Sequence, residues 1–293
     1  MAVVHATSIG KARGSIGMNT YTVIGGETIA KEKVFNPRIP RTYKQMQTRV
    51  RWANLVNLWR TFNGTLHPSF EGKRPRVSDF NEFIAKNIKG TPVYLTSAEA
   101  SLGATVIAAY DLTSGTLPSI SVTAGTGDVP VSNISLGNLV IDGDTTLKQF
   151  SLAVVNNNPK FRNGDQISCF IGTQEQNSVT GIPFVEMQAY EVTLDVSDEE
   201  TLLSDLVPAN GFSTVDAKLG ASGVVVGGIA WVHSRIENGE VKVSPQSFFV
   251  NNALLSQYQT SAKRQEAIVS YKGNLSVPFL TPNVNTPAAP VAP

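Results

Sequence analysis

The stretch that decides the fold is residues 166–196, QISCFIGTQEQNSVTGIPFVEMQAYEVTLDV. It contains two runs rich in β-branched and aromatic residues, 166–171 and 184–196, and such runs are typical of strands. Further runs of this kind cover residues 104–110, 119–123, 139–141, 224–236 and 241–250. Asn163-Gly164 and Asn238-Gly239 supply turn dipeptides between the runs. The pattern predicts a mainly antiparallel β-sandwich or barrel.

Helices are predicted before and between these strands. Residues 41–62 contain no Gly or Pro, and their apolar side chains recur at steps of three or four, which predicts a helix of about six turns. Its predicted buried face carries Met46, Val50, Ala53, Val56 and Trp59. A second helix is expected to begin after Ser78 and to end at Gly90. Shorter helices are predicted at residues 145–155, 198–206 and 254–270.

These elements place the chain in the α+β class and divide it into four parts. Residues 1–35 are predicted to form an extended arm with one short hairpin, because glycines recur between positions 10 and 26. Residues 36–90 form a basic helical segment. Residues 91–281 form the mainly β part, as one domain or two subdomains. Residues 282–293 are a tail with four prolines, which we do not expect to pack as a regular element.

Composition excludes several classes of protein. A chain of 293 residues with 41% hydrophobic and 16% charged residues is long and apolar enough to fold. The single cysteine, Cys169, excludes a disulfide framework and a multi-cysteine zinc site, and its apolar neighbours predict a buried thiol. No apolar stretch has the length of a membrane span, and no secretory signal is readable. We therefore expect no membrane partner.

Charge is distributed unevenly along the chain. Residues 1–95 carry a net charge of +10, and residues 96–293 carry a net charge of −9. This asymmetry favours either a segment that faces nucleic acid or a contact in which the basic part of one copy meets the acidic part of another. An enzyme that acts on a small molecule does not require it.

The basic segment supplies the candidate interface. Its cations are interleaved with Tyr43, Trp52 and Trp59, which would suit phosphate contacts and base stacking, but no nucleic-acid fold signature accompanies them. We expect contact with protein first and with packaged DNA as the alternative. The candidate interface residues are Arg38, Arg41, Lys44, Arg49, Arg51, Arg60, Lys73, Arg74 and Arg76.

Motifs for catalysis and cofactors are not found. The chain has no P-loop, no nucleophile elbow and no H-E-x-x-H motif, so we assign no catalytic residue and no cofactor. Asp142 and Asp144 could offer carboxylates to calcium, but the other positions of a calcium loop are missing, so we expect a turn and no metal. One acidic cluster could be mistaken for the carboxylate pair of a hydrolase. It lies at a predicted strand end and helix start, where carboxylates interact favourably with the helix dipole. Its residues are Asp195, Asp198, Glu199, Glu200 and Asp205.

Three short passages carry a resemblance to a known family. They are the glycine-spaced start (Gly14-Ser15-Ile16-Gly17), the helix entry N-P-R-I-P at residues 36–40, and P-V-Y-L-T at residues 92–96. On these motifs the first 120 residues or so resemble a family of uncharacterised proteins of Bacteroidota and their phages. Its members look like virion proteins of crAss-like phages that infect Bacteroides. The resemblance implies no catalytic residues.

The resemblance and the charge asymmetry both favour a structural role. The resemblance implies a virion structural protein, assembled in the cytoplasm of the bacterial host, and the charge asymmetry favours contacts between copies. We expect a non-enzymatic auxiliary capsid protein, a decoration or cement protein, that binds the major capsid protein or other virion proteins and also self-associates. The alternatives are a connector or tail ring of the virion, and a carbohydrate-binding or adhesive β-sandwich that would use Tyr190, Trp231 or Tyr258.

Overall fold

The computed structural model describes residues 13–24, 26–35, 42–62, 69–208, 211–221 and 226–271, together with the backbone of residues 2–4. The predicted helix entry at 36–41 and the tail at 282–293 lie outside the described residues. The chain is an α+β protein in which the ladders between the strands described are antiparallel, as predicted. It folds into two compact units, residues 1–41 with 74–78 and residues 42–73 with 79–293.

The first unit contains a four-stranded antiparallel sheet. Its strands are β1 (Ala2–Val4), β2 (Gly14–Ile16), β3 (Asn19–Ile24) and β4 (Glu27–Glu32), in the order β1-β4-β3-β2. The structure therefore differs from the predicted extended arm with one short hairpin. Gly17 (φ +56°) and Gly26 (φ +87°) adopt left-handed backbone in the tight turns that follow β2 and β3, so the glycine spacing marks turns between paired strands.

The second unit combines helices with antiparallel sheets. Its helices are α1 (Tyr43–Thr61), α2 (Asp79–Asn87), α3 (Ser97–Ser101), α4 (Leu147–Asn157), α5 (Leu203–Leu206), α6 (Leu255–Tyr258) and α7 (Ser261–Ser270). Its strands are β5 (Asp111–Thr113), β6 (Val122–Ala124), β7 (Pro130–Ser135), β8 (Gln166–Gln176), β9 (Pro183–Thr193), β10 (Ser213–Val215), β11 (Lys218–Gly220), β12 (Gly227–Glu237), β13 (Glu240–Val243), β14 (Gln246–Ser247) and β15 (Phe249–Asn251). The largest sheet has the order β13-β12-β8-β9, with β15 also paired to β12. A second sheet has the order β10-β11-β7-β6, and β14 pairs with β5.

The predicted strands 166–171, 184–196 and 224–236 are confirmed as the centre of the largest sheet. β8 and β9 pair along their whole length, and β12 pairs with the other edge of β8. Asn238 (φ +55°) and Gly239 (φ +78°) form the two-residue turn between β12 and β13. Both residues tolerate left-handed backbone, which is why this dipeptide predicts a hairpin turn.

The predicted strand at 104–110 is wrong, although the segment is buried almost throughout. Side chains take the place of a neighbouring strand. The amide of Asn54 bonds both the N–H and the C=O of Val106 at 2.8 Å, and the Oε1 of Gln174 accepts from the N–H of Ile107 at 2.9 Å. The apolar run therefore reflects burial rather than pairing in a ladder.

Three further predictions differ from the structure. Residues 139–141 form no strand, because Thr214 Oγ1 accepts from the N–H of Ile141 and donates to the C=O of Leu139. The predicted helix 254–270 is two helices, α6 and α7, since the side chain of Thr260 caps a new helix start. The predicted helix 198–206 is reduced to the single turn of α5.

The core lies on both faces of the largest sheet. On β8, Phe170 packs in a cluster with residues of α1 and α2, whereas Cys169 and Ile171 pack in a cluster with residues of α4. The second sheet adds Ile134 and Leu219 to the latter cluster, so the two sheets pack in a β-sandwich-like arrangement. Cys169 is fully buried, which confirms the predicted buried cysteine, and this burial raises the pKa of its thiol.

Candidate functional site

Helix α1 carries the central part of the predicted basic surface. The hydroxyl of Thr42 accepts from the N–H of Gln45 at 3.4 Å, and the Gln45 side chain accepts from the N–H of Thr42 at 3.2 Å. This reciprocal capping box fixes the start of a 19-residue helix, so both predicted ends are correct to within two residues. The helix contains no Asp or Glu. Its cations are Lys44, Arg49, Arg51 and Arg60.

The buried face of α1 differs from the predicted one. Asn54 and Asn57 are buried, whereas Ala53 and Val56, which the periodicity had placed in the core, are only half-buried. Both amides donate to backbone carbonyls of residues 104–106. The helix is therefore rotated about its axis relative to the sequence prediction, and part of its apolar side faces solvent.

This rotation leaves a mixed stripe on α1, in which Trp52 and Arg60 are exposed and Arg49 and Val56 are half-buried. Arg49, Trp52, Val56 and Arg60 follow one another at steps of three, four and four, which places them within an arc of about 80°. Trp52 is 41% exposed, and its ring meets the ring of Phe80 edge-on at a centroid distance of 6.2 Å. We call Arg49, Trp52, Val56 and Arg60 the α1 stripe.

The cations of α1 are available for a partner. Lys44, Arg49, Arg51 and Arg60 form no ion pair with any residue that the structure describes. Lys44 and Arg51 lie seven residues apart on another side of the helix, outside the α1 stripe. An exposed tryptophan between two arginines has the composition that is enriched at the centre of protein interfaces.

The remaining predicted interface residues lie outside α1. Lys73 pairs with Asp79 at 2.7 Å, and Arg76 forms a bidentate pair with Glu27 at 2.9 and 3.2 Å. Arg74 forms no ion pair with a described residue. Arg38 and Arg41 lie outside the described residues. Of the seven predicted interface cations that the structure describes, Lys73 and Arg76 are thus already paired with carboxylates.

The N-terminal sheet is a second candidate surface. Among its described side chains only Thr28 is buried. Ile16, Met18, Val34 and Phe35 are each more than 60% exposed. A sheet needs an apolar face packed against another layer to be stable, and this unit does not supply such a layer from its own described residues.

The metal and acid–base candidates have structural partners. Asp142 Oδ1 accepts from the N–H of Asp144 at 3.1 Å and from Thr145 Oγ1 at 2.8 Å, which is a turn. No group of three or more His, Cys, Asp or Glu side chains suited to a metal occurs within the described ranges. In the acidic cluster, hydrogen bonds from Ser197 lower the pKa of Asp195, and hydrogen bonds from Thr201 lower the pKa of Asp198. A general acid needs the opposite shift.

One polar cluster was not predicted from the sequence. Asp165 accepts from Arg235 Nε at 2.6 Å, from Arg235 Nη2 at 2.7 Å and from His233 Nε2 at 2.9 Å. Burial alone raises the pKa of Asp165, but these hydrogen bonds outweigh it and hold the pKa well below its usual range. Asp165 Oδ2 also accepts from the N–H of Arg162 at 2.8 Å. The cluster therefore joins the start of β8 to β12.

The spacing of its residues in the sequence is a signal that could have predicted this cluster. His233 and Arg235 are two residues apart on a strand, so they share one face. Asp165 directly precedes the neighbouring strand. Arg235 and Asp165 line a cavity of about 430 Å³, and His233 lines another of about 170 Å³. The Nδ1 of His233 has no hydrogen-bond partner among the described residues.

Comparison with known proteins adds no relative. No protein-family model, curated protein or solved structure matches the chain. None of the described helices combines the length and hydropathy needed to cross a bilayer. Of the aromatic residues named for a carbohydrate platform, Trp231 and Tyr258 are buried and Tyr190 is half-buried, so these three do not form one.

Proposed function

We propose that this chain is a non-enzymatic structural protein of a virion, an auxiliary capsid protein that binds the major capsid protein through its N-terminal region. The observation that carries the proposal is the N-terminal sheet, whose described side chains are exposed or half-buried except for that of Thr28, although each of its strands pairs with a neighbour. Such a sheet gains its missing layer from another protein. The resemblance of its first 120 residues or so to virion proteins of crAss-like phages supports the same role.

Exposed apolar side chains would supply much of the binding energy. Burying a side chain such as Ile16 or Phe35 completely contributes about 1.5–3 kcal/mol. Several of these side chains lie on one small unit, so a partner surface that covers them would form a specific contact. To hold on a capsid, that contact should bury more than about 1,000 Å².

A truncation tests the assembly role. The three apolar clusters of the described chain contain no residue before Tyr43, so deleting residues 1–35 should leave a folded protein. We expect the truncated chain to stay soluble with an unchanged urea midpoint and to be lost from particles. Incorporation at normal occupancy would refute the proposal.

The connector or tail ring remains the second candidate. It would use the same N-terminal contacts around a closed ring, with basic side chains turned toward packaged DNA. Copy number separates the two roles, because a ring at one vertex holds far fewer copies than a shell.

A further inference from the structure

We propose that the α1 stripe docks on an acidic patch of a second copy of this chain. The acidic patch is formed by Glu199, Glu200, Asp205 and Leu206. The proposal rests on the assembly role proposed above and names the partner of one of its surfaces. It commits to self-association; binding of the stripe to the capsid protein or to DNA is an outcome of the test.

The acidic patch is opposite to the α1 stripe in charge. Residues 191–217 contain seven Asp and Glu and no Lys or Arg. Glu199 is 70% exposed, and Glu200 and Asp205 are exposed and form no ion pair with a described residue. Leu206, next to Asp205, is 37% exposed. An exposed apolar side chain next to a carboxylate in the sequence, within an acidic stretch, thus complements the exposed Trp52 on a helix whose charged residues are all basic.

The patch is held in place by the fold. Asp198 accepts from the N–H groups of Glu200 and Thr201 at 3.0 Å, and the N–H of Lys148 bonds the C=O of Asp198 at 2.8 Å. The ammonium of Lys148 also pairs with Glu199. The backbone that presents the acidic side chains is therefore fixed before binding, which reduces the entropy lost when a partner docks.

Within one copy the two surfaces do not pair with each other. Arg49 and Arg60 form no ion pair with a described residue, and neither do Glu200 and Asp205. Leu55 of α1 packs in one apolar cluster, whereas Leu203 of α5 packs in another. The unpaired charges of both surfaces are therefore free to meet those of a second copy.

The contact has a consequence for assembly. Each copy offers one α1 stripe and one acidic patch, and these are different surfaces. A contact between them is heterologous, so it continues from copy to copy until a ring closes or a chain forms. Such a contact would link neighbouring copies on a particle without using the N-terminal sheet.

Charge reversal of the full chain tests the proposal. The stripe variant is Arg49→Glu with Arg60→Glu, and the patch variant is Glu200→Lys with Asp205→Lys. Sedimentation velocity at about 50 mM salt, where screening is weak, measures self-association over a concentration series. We expect the wild type to self-associate and each variant to lose at least about tenfold in affinity, because like charges then face each other. High salt should weaken the wild-type contact.

Mixing the two variants gives the decisive readout. The stripe variant keeps a normal acidic patch and the patch variant keeps a normal α1 stripe, so an equimolar mixture should associate again. Matched controls are Lys44→Glu with Arg51→Glu, which lie on α1 outside the stripe, and Glu175→Lys with Glu237→Lys. Both controls should behave as wild type. Circular dichroism of every variant checks that it is folded.

Three results would overturn the proposal. They are a wild type that stays monomeric at its highest soluble concentration, reversal variants that associate normally, and a mixture that stays monomeric. If the stripe variant loses binding to a duplex DNA oligomer or to purified capsid protein while self-association is unchanged, the stripe serves that partner instead. None of these results touches the truncation of residues 1–35, so the virion role is judged separately.

Discussion

The most informative single substitution in the core is Asn54→Ala. Asn54 lies in the middle of α1 and is fully buried. Its amide donates to the C=O of Val106, accepts from the N–H of Val106, and donates to the hydroxyl of Tyr110, each at 2.8 Å. These bonds hold segment 104–110 against the helix in place of a β-ladder. Removing the amide should therefore loosen both elements together.

The size of the effect follows from the groups left without a partner. Alanine orphans the N–H and the C=O of Val106, while the Tyr110 hydroxyl keeps its bond to Thr91 Oγ1 at 2.7 Å. A buried polar group without a partner costs about 1–3 kcal/mol, so two such groups cost about 2–6 kcal/mol. We expect Asn54→Ala to lower the free energy of unfolding by about 4 kcal/mol.

Urea unfolding followed by tryptophan fluorescence and circular dichroism measures this loss. The matched control is Asn133→Ala, since Asn133 is exposed and its side chain bonds no described residue. The control should change stability by less than about 0.5 kcal/mol. A loss below about 1 kcal/mol for Asn54→Ala, at an unchanged m-value, would refute the reasoning that side chains replace the ladder at 104–110.

Two further predictions concern buried ionisable groups. Because the pKa of Asp165 is lowered on folding, its stabilisation is present above the unfolded pKa of about 3.9 and is lost as pH falls further. Urea midpoints between pH 7 and 2.5 or so should show this loss in wild type and not in Asp165→Asn; parallel curves would contradict it. Cys169 should react with an aromatic disulfide reagent only on unfolding, since burial raises its pKa. Fast labelling of native protein would argue against that burial.

The sequence was sufficient for the fold class because two strong patterns coincide with the structure. The apolar and β-branched runs around Cys169 and Trp231 are buried on both faces of one sheet. The capped, Gly-free and Pro-free stretch of α1 could form only a helix. Both patterns depend on local residues, so no knowledge of tertiary contacts was needed.

The errors arose where a partner lies far away in the chain. Asn54 and Asn57 are polar, so the period of the apolar residues left them off the predicted buried face of α1. In the structure each side chain donates a hydrogen bond to a backbone carbonyl more than 40 residues away. Segment 104–110 has the composition of a strand and is held by side chains. Arg76 was assigned to a free surface, but it pairs with Glu27, which lies 49 residues earlier.

The central claim is that this chain is a structural component of a virion shell. Quantitative mass spectrometry of purified particles, checked against a particle reconstruction, measures its copy number and position directly. The account predicts hundreds of copies distributed over the shell, with the N-terminal sheet against the major capsid protein. About a dozen copies at one vertex would contradict the capsid role in favour of a connector or tail ring, and absence from particles would contradict the virion role altogether.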